Sequence, residues 1–198
     1  MLSGLTAVYI GGNFTEVKKP SQQVAGTARD RLARLTAGAP GNLVAAFNAG
    51  VLGARPFDLA VSANSASLYA AIGTGPGASG AGDRIINFNT ADGTQAWNNN
   101  NLQGNGEAVE VIGANLFAGF LGGYNNAAAP LPLNPNNYRL LGINPANGVN
   151  TQITAFQPAV ASVEGVFDLA QGSNRMVAVG DFTSIGTTSN LHGLAIFA

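Results

Sequence analysis

The stretch AVYIGGNF at residues 7–14 decides the fold, because it returns three more times in altered form. Each copy is a run of apolar residues that leads into glycine. The later copies are LYAAIGTG at 68–75, LFAGFLGG at 116–123 and MVAVGDF at 176–182. A period of about 50 to 60 residues is typical of propellers and other repeat arrays. The sequence therefore predicts a repeat protein.

Three further signals follow the first three copies in the same order, and the last copy is followed by the first of them. A short apolar strand comes first, led by Arg in three cases: RLARL at 31–35, RIINF at 84–88, RLLGI at 139–143 and GLAIF at 193–197. A turn follows, at TAGAPGN 36–42, NTADGTQ 89–95 and NPANGVN 144–150, and leads to a strand with an aromatic residue: Phe47, Trp97 or Phe156. The cycle closes with FDLAV at 57–61, VEVI at 109–112 and FDLA at 167–170.

Four short strands per unit, joined by hairpin turns, are the pattern of a propeller blade. We therefore predict an all-β fold, a β-propeller of about four blade-like repeats that is whole or part of a larger or oligomeric propeller. Its single repeat domain spans 1–198, with units at approximately 1–61, 62–112, 113–170 and, in part, 171–198. The segment 24–37 could form a short helix alone, but its repeat match favours a strand from Arg31 onward.

The order of the signals predicts an incomplete propeller. The chain opens on the first signal and closes on the second, so the last half-unit repeats strands that the first unit already has. We expect either further chain or a second molecule to supply the missing strands, since open sheet edges invite pairing. The chain is therefore not expected to stand alone as a closed monomer.

Composition points to a neutral surface and to an extracellular or cell-surface location. Apolar residues make up 46% of the chain but charged residues only 10%, against about 25% in typical domains. The opening residues 1–14 lack the basic start and long apolar core of a signal peptide, so we expect that any leader is absent from this chain. No apolar run reaches the length of about 20 residues that spans a membrane.

Several chemistries are disfavoured by the residues that the chain carries. Nine Lys and Arg and a net charge of −1 give little means to neutralise phosphates, so nucleic acid is not expected as a partner. Without cysteine there are no disulfides, thiolate metal sites or cysteine nucleophiles. The lone histidine, His192, is interpreted as a loop residue. We predict no enzyme activity, no cofactor and no metal site.

The phrases YIGGNFTEV at 9–17, VGDFTSI at 179–185 and RLARLTAGAPGNLVAAFNAGV at 31–51 resemble the delta-sixty and kelch-like group of bacterial propeller repeats. The resemblance covers nearly the whole chain and is clearest in the first and last units. It implies a propeller fold in a secreted or cell-surface protein. It implies no common chemistry, because such units serve mostly as scaffolds and as adhesive or recognition modules.

Charged and aromatic residues recur at repeat positions, which favours structural roles. Asp58 and Asp168 share one position, Asp30 and Asp83 another, and Arg31, Arg84 and Arg139 a third. We interpret the aspartates as turn caps or Asp–Arg bridges, with a cation-binding ring as the alternative. The arginines are expected to bind backbone carbonyls or carboxylates, with an anion-binding ring as the alternative. Trp97 is expected in an inter-blade core rather than as a sugar platform.

Four variable segments, at 18–30, 74–82, 124–137 and 183–191, join the first and second strands of the units and are expected on one side of the sheets. Loops on a rigid scaffold are where recognition usually occurs. The candidate binding residues flank the longest segment: Tyr124, Asn125, Asn126, Asn136, Asn137 and Tyr138. Aromatic and amide groups suit neutral sugars and protein contacts equally, and a plain solvent loop is the alternative.

Two functions remain open from the sequence. The first is a non-catalytic structural or protein-interaction module that contacts other chains or itself. The second is a lectin-like module that binds carbohydrate through the loops.

Overall fold

The computed structural model describes residues 7–19, 25–38, 41–74, 83–99, 105–120, 140–154, 165–172, 175–182, 184–185, 188–189 and 191–197. Within these ranges the regular secondary structure is β-strand, without a helix. The all-β prediction is confirmed. The residues after Arg31, which could have continued a helix, form a strand.

The first sheet pairs strand β1 (Ala7–Gly11) antiparallel with β4 (Leu32–Thr36). Between them in the chain lies a small hairpin of β2 (Glu16–Val17) and β3 (Thr27–Ala28). An isolated bridge from Leu35 to Leu43 extends the sheet beyond β4.

The second and third sheets are complete four-stranded antiparallel meanders, in which consecutive strands pair. The second contains β5 (Arg55–Val61), β6 (Ser67–Gly73), β7 (Arg84–Asn89) and β8 (Gln95–Asn99). The third contains β9 (Gly106–Ile112), β10 (Asn115–Phe120), β11 (Leu140–Ile143) and β12 (Asn150–Thr154).

The fourth sheet has three described strands in the order β13 (Gly165–Gly172), β14 (Arg175–Asp181) and β17 (Leu194–Phe197). A small hairpin of β15 (Ser184–Ile185) and β16 (Thr188–Ser189) lies between β14 and β17, just as β2 and β3 lie between β1 and β4. The first and last units therefore share their topology as well as their sequence phrases.

The sheets begin one strand earlier than the sequence units do. Each of the units 1–61, 62–112 and 113–170 ends on the apolar run that opens the next sheet, as β5, β9 or β13. A sequence repeat has no inherent starting point. The sheet boundaries are set instead by the hydrogen-bonded pairs β5–β6, β9–β10 and β13–β14.

A shared irregularity places the sheets in register with one another. In the second, third and fourth sheets, the opening strand contains one residue that has no pairing partner on the adjacent strand. These residues are Phe57, Glu107 and Phe167. Such a bulge bends the strand and raises its twist. Counting from it makes Tyr69, Phe117 and Val177 equivalent, and each is the second residue of its repeated phrase.

The hairpin turns between the third and fourth strands also repeat. Gly93 donates its N–H to the carbonyl of Asn89, and Gly148 does the same to Asn144. Both glycines have positive φ, of 81° and 75°, whereas the preceding Asp92 and Asn147 do not. These turns therefore need the left-handed conformation at the glycine alone, where an L side chain is disfavoured.

The four sheets pack face to face in a row, and three apolar cores lie between neighbours. We call the face toward the next sheet the trailing face and the other the leading face. The trailing face of the second sheet carries Ala60, Tyr69, Ala71, Ile85 and Trp97, and it packs on the third sheet's leading face, with Val109, Leu116, Ala118, Leu141 and Ile143. The first and second sheets share the core around Leu32, Phe47 and Phe88. The third and fourth share the core around Leu140, Val166 and Met176.

The opening strands lie side by side, since β9 packs against β5 on one side and β13 on the other. This is the blade arrangement of a β-propeller, so the predicted fold class is confirmed in its architecture. The row is open: the main inter-sheet contacts of the described strands run only between neighbours, and no sheet closes it into a ring.

Candidate interaction face

The trailing face of the fourth sheet carries four adjacent apolar side chains, beside Asp168, that stay partly exposed in the described structure. Val177 pairs with Ile196 and Val179 with Leu194, so the four side chains share one face. Val179, Leu194 and Ile196 keep 38%, 51% and 57% of their surface exposed. We call these four residues the tail face. Adjacent exposed apolar side chains of this size mark interaction sites rather than ordinary surface.

The second sheet shows what the same positions do when another sheet follows. Tyr69, Ala71 and Ile85 are the equivalents of Val177, Val179 and Leu194, and Ile85 is fully buried. The contrast between Ile85 and Leu194 is therefore one of context and not of residue type. The tail face has the composition of an inter-sheet core surface.

The leading face of the first sheet is partly uncovered as well. Val8 pairs with Leu35 across β1 and β4, and Ile10 is on the same side of β1. Val8 precedes Tyr9 as Leu68 precedes Tyr69 in the second sheet, yet Val8 is 41% exposed whereas Leu68 is fully buried. Ile10 and Leu35 are half-buried. We call these three residues the head face.

The six loop residues predicted as a binding site, Tyr124, Asn125, Asn126, Asn136, Asn137 and Tyr138, lie outside the described residues. The connection that carries them joins β10 to β11, and the other variable segments join β1 to β4, β6 to β7 and β14 to β17. Each segment thus makes the same connection in its sheet, which is what placed them together in the sequence analysis.

The repeated aspartates bond to backbone amides. Asp58 accepts a hydrogen bond from the N–H of Leu59 at 2.8 Å, and Asp168 accepts one from Leu169 at the same distance. The second oxygen of Asp58 accepts the N–H of Val109 in the next sheet at 2.9 Å. Asp58 therefore links two sheets, in keeping with a structural role.

The other aspartate pair holds loops in place. Asp30 forms an ion pair with Arg31, and its second oxygen accepts the N–H of Leu52 at 2.6 Å. Asp83 accepts hydrogen bonds from both the N–H and the hydroxyl of Thr74. Asp30 therefore connects the start of β4 to the segment at Leu52, and Asp83 connects the start of β7 to the residue that follows β6.

Three carboxylates on the opening strands have raised pKa values. Burial raises the pKa of Asp58, and the charge of Asp168 adds to the effect against the bonds from Val109 and Leu59. Burial also raises the pKa of Glu110, reinforced by the charges of Asp58 and Asp168. Burial raises the pKa of Glu107, against the nearby Arg55. Within the described residues no group of three metal-ligating side chains is placed to hold an ion.

The arginines bind protein groups. Arg84 donates to the carbonyl of Leu52, as the structural interpretation expects, and Arg34 donates to that of Thr90 in the next sheet at 2.9 Å. Arg31 pairs with Asp30, and Arg55 stacks on the ring of Phe57 at 4.2 Å. Arg139 lies outside the described residues.

A cleft of about 370 Å³ opens where the first two sheets meet. Its lining residues are Asn13, Arg31, Gly53, Ala54, Arg55, Gly73 and Thr74. Arg31 is paired with Asp30, while Arg55 stacks on Phe57 and its charge also acts on Glu107.

Trp97 lies in the core between the second and third sheets, as predicted. It is 9% exposed, and its ring lies 5.9 Å from that of Tyr69. Its indole N–H donates to the carbonyl of Pro145 at 2.9 Å, in the turn of the next sheet. The ring has no free face for a sugar to stack on at that turn, because a Cβ at Gly148 would lie 2.6 Å from it.

His192 is exposed in the segment just before β17. Within the described ranges, no helix has the length and apolarity that a membrane crossing needs.

Fold and face together define an all-β, propeller-type repeat protein whose first and fourth sheets each keep a partly exposed apolar face among the described residues. Neither a family model nor a curated protein matches the chain. Among solved structures it is similar to two β-propeller proteins, Sqt1 of Saccharomyces cerevisiae and BamB of Moraxella catarrhalis, each at 12% identity.

The matches to Sqt1 and BamB have TM-scores of 0.48 and 0.49 and cover 84% and 98% of this chain. The chain spans 37% of Sqt1 and 50% of BamB. A computationally designed protein, Ika8, matches over 98% of this chain and 68% of its own, at 12% identity and a TM-score of 0.42. Similarity at this level says nothing of what the chain binds.

The sequence analysis missed the head and tail faces. The strand GLAIF looks like its buried counterparts RIINF and RLLGI, so residue type could not reveal that Leu194 and Ile196 are exposed. The one available signal was that GLAIF belongs to the partial unit 171–198.

Proposed function

We propose that this chain is a non-catalytic protein-interaction module that binds protein through its tail face. The observation that carries the proposal is the exposure of Leu194 and Ile196 at positions where the second sheet buries Ile85 and Asn87. Burying a side chain of this size contributes about 1.5 to 3 kcal/mol, so covering the face is a substantial driving force.

The charge of the chain favours the same function. The four tail-face residues are uncharged, with Asp168 beside them opposite Val179, and the net charge of −1 offers little electrostatic resistance to association. A flat apolar sheet face fits another apolar protein surface better than a sugar, whose hydroxyls would lose their hydrogen bonds to water there.

An extracellular or cell-surface setting and the lack of catalysis are parts of the same proposal. The low charge content and the resemblance to the delta-sixty and kelch-like repeats support the setting. The single histidine, His192, is exposed in the segment just before β17, which supports a non-catalytic role.

Photo-crosslinking tests the proposal. A benzophenone amino acid placed at 196 is expected to form a discrete adduct with a protein, identified by mass spectrometry, in the cells that make the chain. The matched control places the probe at Val51, which is 88% exposed outside the tail face. Absence of any protein adduct at 196, or equal adducts at 196 and 51, would overturn the proposal.

Carbohydrate binding is the alternative, and its support is the sequence of the loop alone. If it holds, a bound glycan raises the melting temperature, because a ligand of the native state stabilises that state. Alanine at Tyr124 and Tyr138 should then abolish the shift, while Val51→Ala leaves it intact. A glycan panel that leaves the melting temperature unchanged would remove this alternative.

A further inference from the structure

We infer that the tail face binds the head face of a second copy of this chain, so that copies associate head to tail. The inference rests on the proposed function and names its partner. It follows from the way in which the chain already packs its own sheets.

Inside the chain, every covered trailing face is covered by a leading face. This happens between the first and second sheets, between the second and third, and between the third and fourth. The tail face is the one described trailing face with no sheet after it, and the head face is the one described leading face with no sheet before it. A second copy continues the row by the same packing step.

The equivalent positions show which side chains would meet. In the middle core, Tyr69 and Ile85 of the second sheet share a cluster with Leu116 and Ile143 of the third. Their counterparts are Val177 and Leu194 on the tail face and Val8 and Leu35 on the head face. The new contact is therefore made of aliphatic side chains on both sides.

The head face brings no like charge to the contact. Asp168 lies opposite Val179, and Asp181 follows two residues after Val179, so both carboxylates are on the same side of the sheet as the tail face, whereas the three head-face residues are neutral. Since the two faces are different surfaces, the contact is heterologous, and its repetition closes a ring or extends a filament.

Complementation between two blocked variants is the decisive experiment. Leu194→Asp with Ile196→Asp blocks the tail face, and Val8→Asp blocks the head face. A buried unpaired carboxylate should weaken the contact at least about tenfold. Light scattering is expected to show oligomers of the wild-type chain, whereas each variant alone stays at its monomer mass of 20.0 kDa.

An equimolar mixture of the two variants is then expected to double that mass and stop there, because it offers one intact head face and one intact tail face. Val149→Asp, at a position that is 60% exposed on a turn, is the matched control and should keep the wild-type mass. Far-ultraviolet circular dichroism, which reports on the strands of all four sheets, verifies that each variant is folded.

Three results would overturn the inference: a wild-type monomer at all concentrations, a blocked variant that still oligomerises, or a mixture that stays monomeric. Such results leave the proposed function standing if the probe at 196 attaches to a different protein. The absence of any adduct at 196 would overturn both.

Discussion

Arg31 and Gly193 occupy equivalent positions: Arg31 directly precedes β4 of the first sheet, and Gly193 directly precedes β17 of the fourth. Each has positive φ, 65° and 74°, and the carbonyl of each accepts a hydrogen bond at 3.0 Å, from Gly12 and Gly180. The left-handed conformation costs an L residue roughly 1 to 2 kcal/mol. Arg31 offsets that cost in part through its ion pair with Asp30. At the scale of residues, the repeat thus preserves backbone geometry while the side chains diverge.

Glu110 yields a prediction of the same scale. Its pKa is raised by burial and by Asp58 and Asp168, so its ionised form destabilises the folded state at neutral pH. A carboxyl whose folded pKa is raised favours folding at low pH, and that contribution is lost as the pH rises through the folded pKa. We expect Glu110→Gln to raise the melting temperature at pH 7.

The gain should shrink as the pH falls and vanish below the ordinary pKa of 4.5, where the carboxyl is neutral in both states. Thermal denaturation from pH 7 to pH 4 measures it. Glu16→Gln is the control, since Glu16 is exposed and pairs with Lys18. A melting temperature at pH 7 that is unchanged or lower in Glu110→Gln would contradict the prediction.

At the scale of elements, the hairpin turns join neighbouring sheets. The turn at Asp92 accepts the N–H of Asn48 from the first unit at 2.8 Å, and the turn at Pro145 accepts the indole N–H of Trp97 from the second. Each turn thus closes a hairpin in its own sheet and also accepts a hydrogen bond from the preceding unit.

Gly148→Ala tests the contact between this turn and the Trp97 ring of the preceding sheet. The substitution adds a Cβ at 2.6 Å from the Trp97 ring and forces an alanine to φ 75°. Gly53→Ala is the matched control, because its φ is 70° and nothing lies within 4 Å of the added carbon. We expect Gly53→Ala to cost about 1 kcal/mol for the backbone and Gly148→Ala at least about 2 kcal/mol more.

Chemical denaturation measures both costs. The emission of Trp97, the single tryptophan, should shift to longer wavelength in native Gly148→Ala alone. Equal costs in the two variants, with unchanged emission, would mean that the turn does not press on the ring.

At the scale of the whole molecule, equivalent positions differ in how well neighbouring sheets cover them. Ile85 and Leu194 occupy the same place in their sheets, yet Ile85 is fully buried and Leu194 is 51% exposed. We expect Ile85→Ala to cost about 2 to 5 kcal/mol of unfolding free energy. Leu194→Ala should stay within about 0.5 kcal/mol.

Denaturation at a protein concentration low enough to keep the chain monomeric measures this difference. At high concentration, the cost of Leu194→Ala should rise if a second copy covers the face, because association stabilises the folded state by mass action. Similar costs for both variants at low concentration would show that something within the chain covers the tail face.

The sequence by itself determined the all-β class, the four strands of a unit, the turns and the inter-blade place of Trp97. These depend on local patterns, such as apolar runs bounded by glycine and Asp-Gly or Asn-Gly turns, and the repeat supplied several copies of each. It also favoured structural roles for the aspartates and arginines of equivalent positions, though it did not indicate which amides and carbonyls they bind.

Only the tertiary structure decided where each sheet begins and which apolar faces stay uncovered. The starting strand depends on hydrogen bonds between segments, and exposure depends on whether another sheet lies opposite. An isoleucine or leucine looks the same in the sequence whether a neighbour covers it or not. The tail face therefore became visible when Leu194 and Ile196 could be compared with their buried counterparts in space.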